Sequence, residues 1–222
     1  MINRKSKIVN LKLIILMAFF SMSHLVSASV IEYVFVNMPE EYYLFQTAEQ
    51  RSELLKSHNR NDTTGVKNRF GGKSYILQLD GTNEYLLVRN TKISTVEMKI
   101  WTLNNGEQIA GINIVTCTPL CDSQLAFFNQ KWQHVKNIFF PDVNLTDFLD
   151  TKKILDDNKT TEEIAAAFDI VFFHYSFSKT GTNIEVELLI DKNISEEAFA
   201  RLEPYLLTKK IVFVWNGTQF VR

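Results

Sequence analysis

Between Tyr75 and Val135 apolar and polar residues alternate with a period of two, the mark of strands that turn one face to a core. Val96, Met98 and Ile100 fall on one side of this alternation, and Glu97, Lys99 and Trp101 on the other. Turn chemistry interrupts it at Asp80-Gly81, at Asn104-Asn105-Gly106, between Cys117 and Cys121, and around Asn129-Gln130-Lys131. Links this short cannot carry parallel crossovers, so the region reads as an antiparallel β-meander. Ile170 to Phe177 and Asn183 to Ile190 read as two further strands joined by Lys179-Thr180-Gly181-Thr182. In the second, Ile184, Val186, Leu188 and Ile190 oppose Asn183, Glu185 and Glu187, the cleanest half-buried strand of the chain. Ile211 to Val221 closes as a hairpin about Asn216-Gly217.

Helical signals are fewer. Val30 to Val36 (V-I-E-Y-V-F-V) is rich in β-branched and aromatic residues and reads as a strand or a buried lead-in. Asn37-Met38-Pro39 opens a helical region, since Pro suits a helix start. Thr47 and Gln50 have capping-box spacing, which predicts a helix from Ala48 to Ser57, followed by a polar loop from His58 to Lys67. Thr160 and Glu163 repeat that spacing ahead of a helix from Thr161 to Phe168. Ser195 caps a helix through Leu206, with Glu196 and Glu197 favourable at its positive end. The pattern predicts an α+β fold, an antiparallel meander with a few short helices, as one domain over residues 29–222. Leu125 to Val135 looks like Ile211 to Val221, which hints at two helix-plus-meander halves, 29–140 and 141–222.

The first 28 residues stand apart. Arg4, Lys5, Lys7 and Lys12 precede the apolar run Leu13 to Phe20, and small residues ending V-S-A follow. That order is a secretory signal peptide, with cleavage after Ala28. The apolar run is shorter than the ~20 residues that span a bilayer, which argues against a permanent membrane anchor. The whole chain has 24 basic and 25 acidic residues; without the four basic residues of the leader the balance is 20 to 25, a formal −5. Such a surface carries no electrostatic footprint for nucleic acid.

An exported chain meets an oxidising compartment, so Cys117 and Cys121 read first as a disulfide across a Thr118-Pro119-Leu120 hairpin loop. Buried thiols are the alternative. A redox pair would more usually be spaced C-x-x-C, and no His stands at zinc-ligand spacing from either cysteine. G-G-K-S at Gly71 to Ser74 has the look of a phosphate loop. A Walker loop, however, would need Gly at Lys67 and a helix where Tyr75 to Leu79 is strand-like. The plainer reading is a Gly-Gly turn feeding a strand. No nucleophile elbow is present. His174 falls within a strand, where a structural role outranks a general base. Carboxylates are plentiful, but no spacing singles out a glycosidase pair. Trp101, Trp132 and Trp215 read as packing residues, with stacking on sugar rings as the functional alternative.

Three stretches, F-V-N-M-P-E near the start, N-R-F-G-G-K-S at Asn68 to Ser74, and T-C-T-P-L-C-D-S-Q-L-A-F-F-N-Q-K-W at Thr116 to Trp132, resemble an exported Bacteroidales family known as domain of unknown function 3256. The resemblance implies a single α+β domain behind a signal peptide and a location in a Gram-negative envelope, the periplasm first. It brings no activity, cofactor or catalytic residue. The expectation is therefore a non-enzymatic module that binds an envelope protein or a glycan through loops, with Asn68, Arg69, Lys73, Pro119 and Asp122 as candidate contacts. The alternative is a hydrolase of envelope polymers whose carboxylates meet only in the fold.

Overall fold

The computed structural model describes residues 29–135, 139–168, 171–190 and 196–222. The leader and its cleavage site at Ala28 lie outside the described residues, as do Ile170 and Ser195.

The meander forms as the alternation requires. Strands β1 (Val66–Lys67), β2 (Lys73–Asp80), β3 (Tyr85–Arg89), β4 (Ser94–Thr102), β5 (Gln108–Cys117) and β6 (Cys121–Phe128) make a six-stranded sheet in sequence order, every pair antiparallel. Its face of Leu86, Val88, Val96, Met98, Ile100 and Ile112 packs against two helices, α1 (Val30–Asn37) and α2 (Ala48–Asn59), with Ile31, Phe35, Leu54 and Leu55 completing that core. Thr47 caps α2 as its spacing predicted, its Oγ1 accepting from Gln50 N and its own N donating to Gln50 Oε1.

Helix α1 corrects the sequence reading. Val30 to Val36 is helical, not extended. The β-branched and aromatic composition gave way because distant charges hold both helix ends. Glu84 accepts from Val30 N at 3.3 Å and Ile31 N at 2.6 Å, an anion at the positive end. Beyond the other end, Arg51 from α2 donates to the carbonyls of Val36, Met38 and Gln46. The Val36 and Met38 oxygens lie where the helix stops and intrahelical donors run out. Arg51 is 1% exposed, and burial lowers the pKa of its guanidinium. Tertiary contacts thus override a local β preference.

The other face of the meander carries a second sheet. Strands β7 (Val171–Phe177), β8 (Ile184–Ile190), β9 (Ile211–Trp215) and β10 (Phe220–Val221) form it in the order β10-β9-β8-β7, all antiparallel. Tyr85, Trp101, Ile109 and Phe127 of the first sheet meet Tyr175, Phe177, Ile184, Val186 and Phe213 of the second, with Phe140 and Phe220 filling the join. Gly111 permits this approach, because a Cβ there would lie 2.5 Å from the Trp101 ring. The polar residues of β4 are drawn into the join too. Glu97 accepts from Tyr85 Oη at 2.9 Å, Asn113 Nδ2 at 3.1 Å and Phe177 N at 3.2 Å. Lys99 Nζ donates to Asn83 O at 2.9 Å, and Trp101 Nε1 to Thr182 O at 2.8 Å.

Three short helices, α3 (Thr151–Asp156), α4 (Thr161–Ala166) and α5 (Glu196–Leu202), gather with Leu149 and Tyr205 into a third cluster at the end of the second sheet. Among the described residues no helix is long and apolar enough to cross a membrane.

Candidate functional site

The loops singled out from sequence lie at one end of the meander. Strand register places the start of β2, the β3–β4 turn and the β5–β6 tip together there, through Tyr75 opposite Arg89, Thr95 opposite Val115, and Val115 opposite Ser123. Asn68 is buried and organises its own turn. Its Oδ1 accepts from Phe70 N and Gly72 N, both at 3.1 Å, and its Nδ2 donates to Asn90 O at 3.0 Å. Asn90 Oδ1 in turn accepts from Tyr43 Oη and Ser74 Oγ. Burial pushes the Tyr43 hydroxyl pKa up. The G-G-K-S stretch is thus a Gly turn leading into β2, with no helix to hold phosphate. Arg69 pairs with Glu40 at 2.7 Å, and Lys73 Nζ donates to Thr64 O at 2.9 Å, both at the surface. Cys117 and Cys121 are disulfide-bonded across the loop that carries Pro119, and Asp122 Oδ1 accepts from Ser123 N. Arg69 and Lys73 therefore sit beside β1 and β2, while Pro119 and Asp122 sit four strands away on the far side of the sheet.

The opposite end of the meander holds a groove of about 400 Å³. Helix α1 supplies Val30, Tyr33, Val34 and Asn37, one face at the i, i+3, i+4, i+7 spacing. Ile100, Gln108, Ile109 and Ala110 form the floor, and Asn129, Gln130 and Trp132 the far wall. The volume falls within the ~300–1,000 Å³ typical of small-ligand sites. No lining side chain is charged, whereas four other cavities among the described residues each carry charged or titratable side chains. Tyr33 is 66% exposed. The far wall is a tight turn, with Asn129 Oδ1 accepting from Lys131 N at 2.9 Å and Gln133 N at 3.0 Å. Trp132 is half-buried against Phe128 and Tyr42, whose ring centroids lie 5.7 and 6.3 Å away. Sequence reasoning named Trp132 only as one of three tryptophans; it missed Tyr33 because α1 read as a strand or a buried lead-in, and Gln108 because the strand pattern of β5 marks no groove.

A second groove, of about 540 Å³, separates β8 from α5 and the chain entering β9. Leu188, Ile190, Phe199 and Leu206 make it apolar, and Glu187 and Glu196 both line it. Lys210 Nζ stands 3.8 Å from Glu187 and 3.3 Å from Glu185. His174 sits opposite Glu187 in the β7–β8 register. Among the described residues no group of three or more His, Cys, Asp or Glu is placed to hold a metal ion.

Residues 23–220 match the family described as protein of unknown function, DUF3256. The chain belongs to this family. No curated protein matches it. Among solved structures, this DUF3256 chain is similar to a domain of an uncharacterized protein from Porphyromonas gingivalis W83. The two share 19% identity and a TM-score of 0.73, over 88% of this chain and all of the other. At that identity the likeness establishes the fold, an α+β arrangement of antiparallel sheets, and leaves function to the site itself.

Proposed function

We propose that this DUF3256 protein is an exported module of a Bacteroidales cell envelope, periplasmic, which binds a protein or glycan rather than transforming it. The leader pattern of residues 1–28, the Cys117–Cys121 disulfide and the sequence resemblance support export. The observation that carries the binding reading is the charge-free groove between α1 and the Asn129–Gln133 turn. Aromatic faces and neutral amides hold a ligand well, but they supply no acid and base pair to act on it. The test is equilibrium binding of the purified protein to envelope extract, divided into protein and glycan fractions, alongside a Tyr33→Ala variant. Retention that depends on Tyr33, with the bound material recovered unchanged, is the expected result. The N-terminal residue, read by mass spectrometry, is expected to be Ser29. Tyr33-independent retention, or a chain still carrying residues 1–28 in the cytoplasmic fraction, would sink the corresponding half of the reading.

One observation favours the hydrolase alternative: Glu187 and Glu196 line the same groove. Lys210 reaches within 3.8 Å of Glu187 in that groove. New chain ends in the glycan fraction, abolished by Glu187→Gln and Glu196→Gln, would establish that reading instead.

A further inference from the structure

The three tryptophans differ in how their indoles are used. Trp101 is 1% exposed, and its N–H is engaged by Thr182 O. Trp215 donates to Thr102 O at 3.2 Å and packs on Phe220 with centroids 5.0 Å apart. Trp132 Nε1 donates no hydrogen bond to any described residue, and the residue lines the groove. Its backbone is also the outlier. Trp132 has φ of 59°, the left-handed region in which a bulky side chain is strained and glycine is at ease. The turn enforces this conformation, for Trp132 N donates to Asn129 O at 2.9 Å. Strain of this kind concentrates at ligand sites, where the surrounding structure over-determines it. Here it sets an indole on the groove wall opposite helix α1.

The rest of the groove complements that indole. Tyr33 presents a second aromatic face from α1. Gln108 and Gln130 make no side-chain hydrogen bond with the described residues, so each offers an amide donor and an amide acceptor. Asn37 donates its Nδ2 to Tyr33 O at 2.9 Å and keeps its Oδ1 unengaged among the described residues. Donors and acceptors share the groove with aromatic residues, and no lining side chain is charged.

From this geometry we infer that the groove is a binding site for an uncharged saccharide, a reading that rests on the binding function proposed above and names its ligand class. Sugar rings present C–H faces to aromatic rings, and hydroxyls that donate and accept at once, which is what planar amides match. A uronic-acid or phosphorylated glycan finds no cation in the groove. A proline-rich peptide would also seek aromatic faces, but it has acceptors only and leaves the amide oxygens of Gln108, Gln130 and Asn37 without donors.

The experiment titrates protein purified after export with neutral gluco-, manno- and galacto-oligosaccharides, with uronic-acid oligosaccharides, and with a proline-rich peptide. Calorimetry and tryptophan fluorescence are the readouts. Binding to at least one neutral series is expected, insensitive to salt, because no ion pair forms. Tyr33→Ala, at an exposed position with no fold to upset, should weaken it about tenfold or more. Trp132→Gly should abolish it while the protein stays folded, since glycine suits that backbone, and Trp132→Phe should keep part of it. Failure of every neutral series to bind overturns the inference, as does neutral binding that ignores Tyr33 and Trp132. Tyr33-dependent binding of the peptide or of an envelope protein alone would overturn it too, yet leave the broader binding function standing. Loss of both would remove the groove from consideration altogether.

Discussion

The two ends of the six-stranded meander are finished in opposite ways. At the loop end, Asn68, Ser74, Asn90 and Tyr43 bond to one another beneath the surface, and a disulfide closes the neighbouring tip. Polar atoms there that have no partner among the described residues, on Gln46, Asn90 and Ser94, are buried. At the groove end Gln108, Gln130 and Trp132, whose side-chain polar atoms have no partner among the described residues, line an open cavity. The first arrangement fixes a fold; the second leaves hydrogen-bonding capacity where a ligand can reach it. The contrast shows why the stretches most distinctive in sequence need not be the ones that touch a partner.

The sharpest way to break this comparison is through Arg51. Arg51→Met removes the donors from the carbonyls of Val36, Met38 and Gln46 and should cost about 3 kcal/mol or more. Gln130→Ala, in the groove, should stay within about 0.5 kcal/mol. Urea denaturation of the two variants measures both, and equal losses would erase the distinction between a structural end and a binding end.

A smaller effect is expected from Cys117→Ser with Cys121→Ser. The ring they close spans only five residues, so chain entropy assigns it about 2 kcal/mol. The same denaturation midpoints report the loss, while saccharide affinity at the far end should not move. A fall in affinity would mean that the two ends are coupled.

The smallest effect is confined to alkaline solution. Burial raises the hydroxyl pKa of Tyr43 and Tyr85, and pushes Tyr175 up to about 12. A folded pKa above the unfolded value of about 10 means the folded state holds its protons longer. Stability from these groups is complete below pH ~10 and declines as pH climbs toward the folded values. Phenolate absorbance should therefore show these three tyrosines ionising together with loss of structure. Ionisation of all tyrosines near pH ~10 in a folded chain would contradict their burial.

Much of the architecture was legible because strand alternation and turn residues act locally. The break at Asn216-Gly217 and the capping boxes at Thr47 and Thr160 appear where their spacing placed them. Helix α1 was not legible, since Glu84 and Arg51 lie 53 and 15 residues from the atoms they hold. Nor did period two reveal that Glu97 and Lys99, on the polar side of β4, would lie under a second sheet. The groove escaped for the same reason as α1: its walls come from segments about a hundred residues apart, and one of them was read in the wrong conformation. The left-handed backbone of Trp132 has no sequence signal, because Asn129-Gln130-Lys131 marks a turn without saying which residue takes the strain.

Glu97 joins Tyr85 and Asn113 of the first sheet to a backbone amide of the second. A peg with three fixed partners tolerates one lateral offset between the layers. Loops such as Lys179 to Thr182 are therefore free to lengthen during divergence, whereas an inserted or deleted residue inside β4 or β7 would turn the carboxylate to the wrong face. Within this family, length variation should accumulate at the strand ends and be barred from the two strands that Glu97 keeps in step.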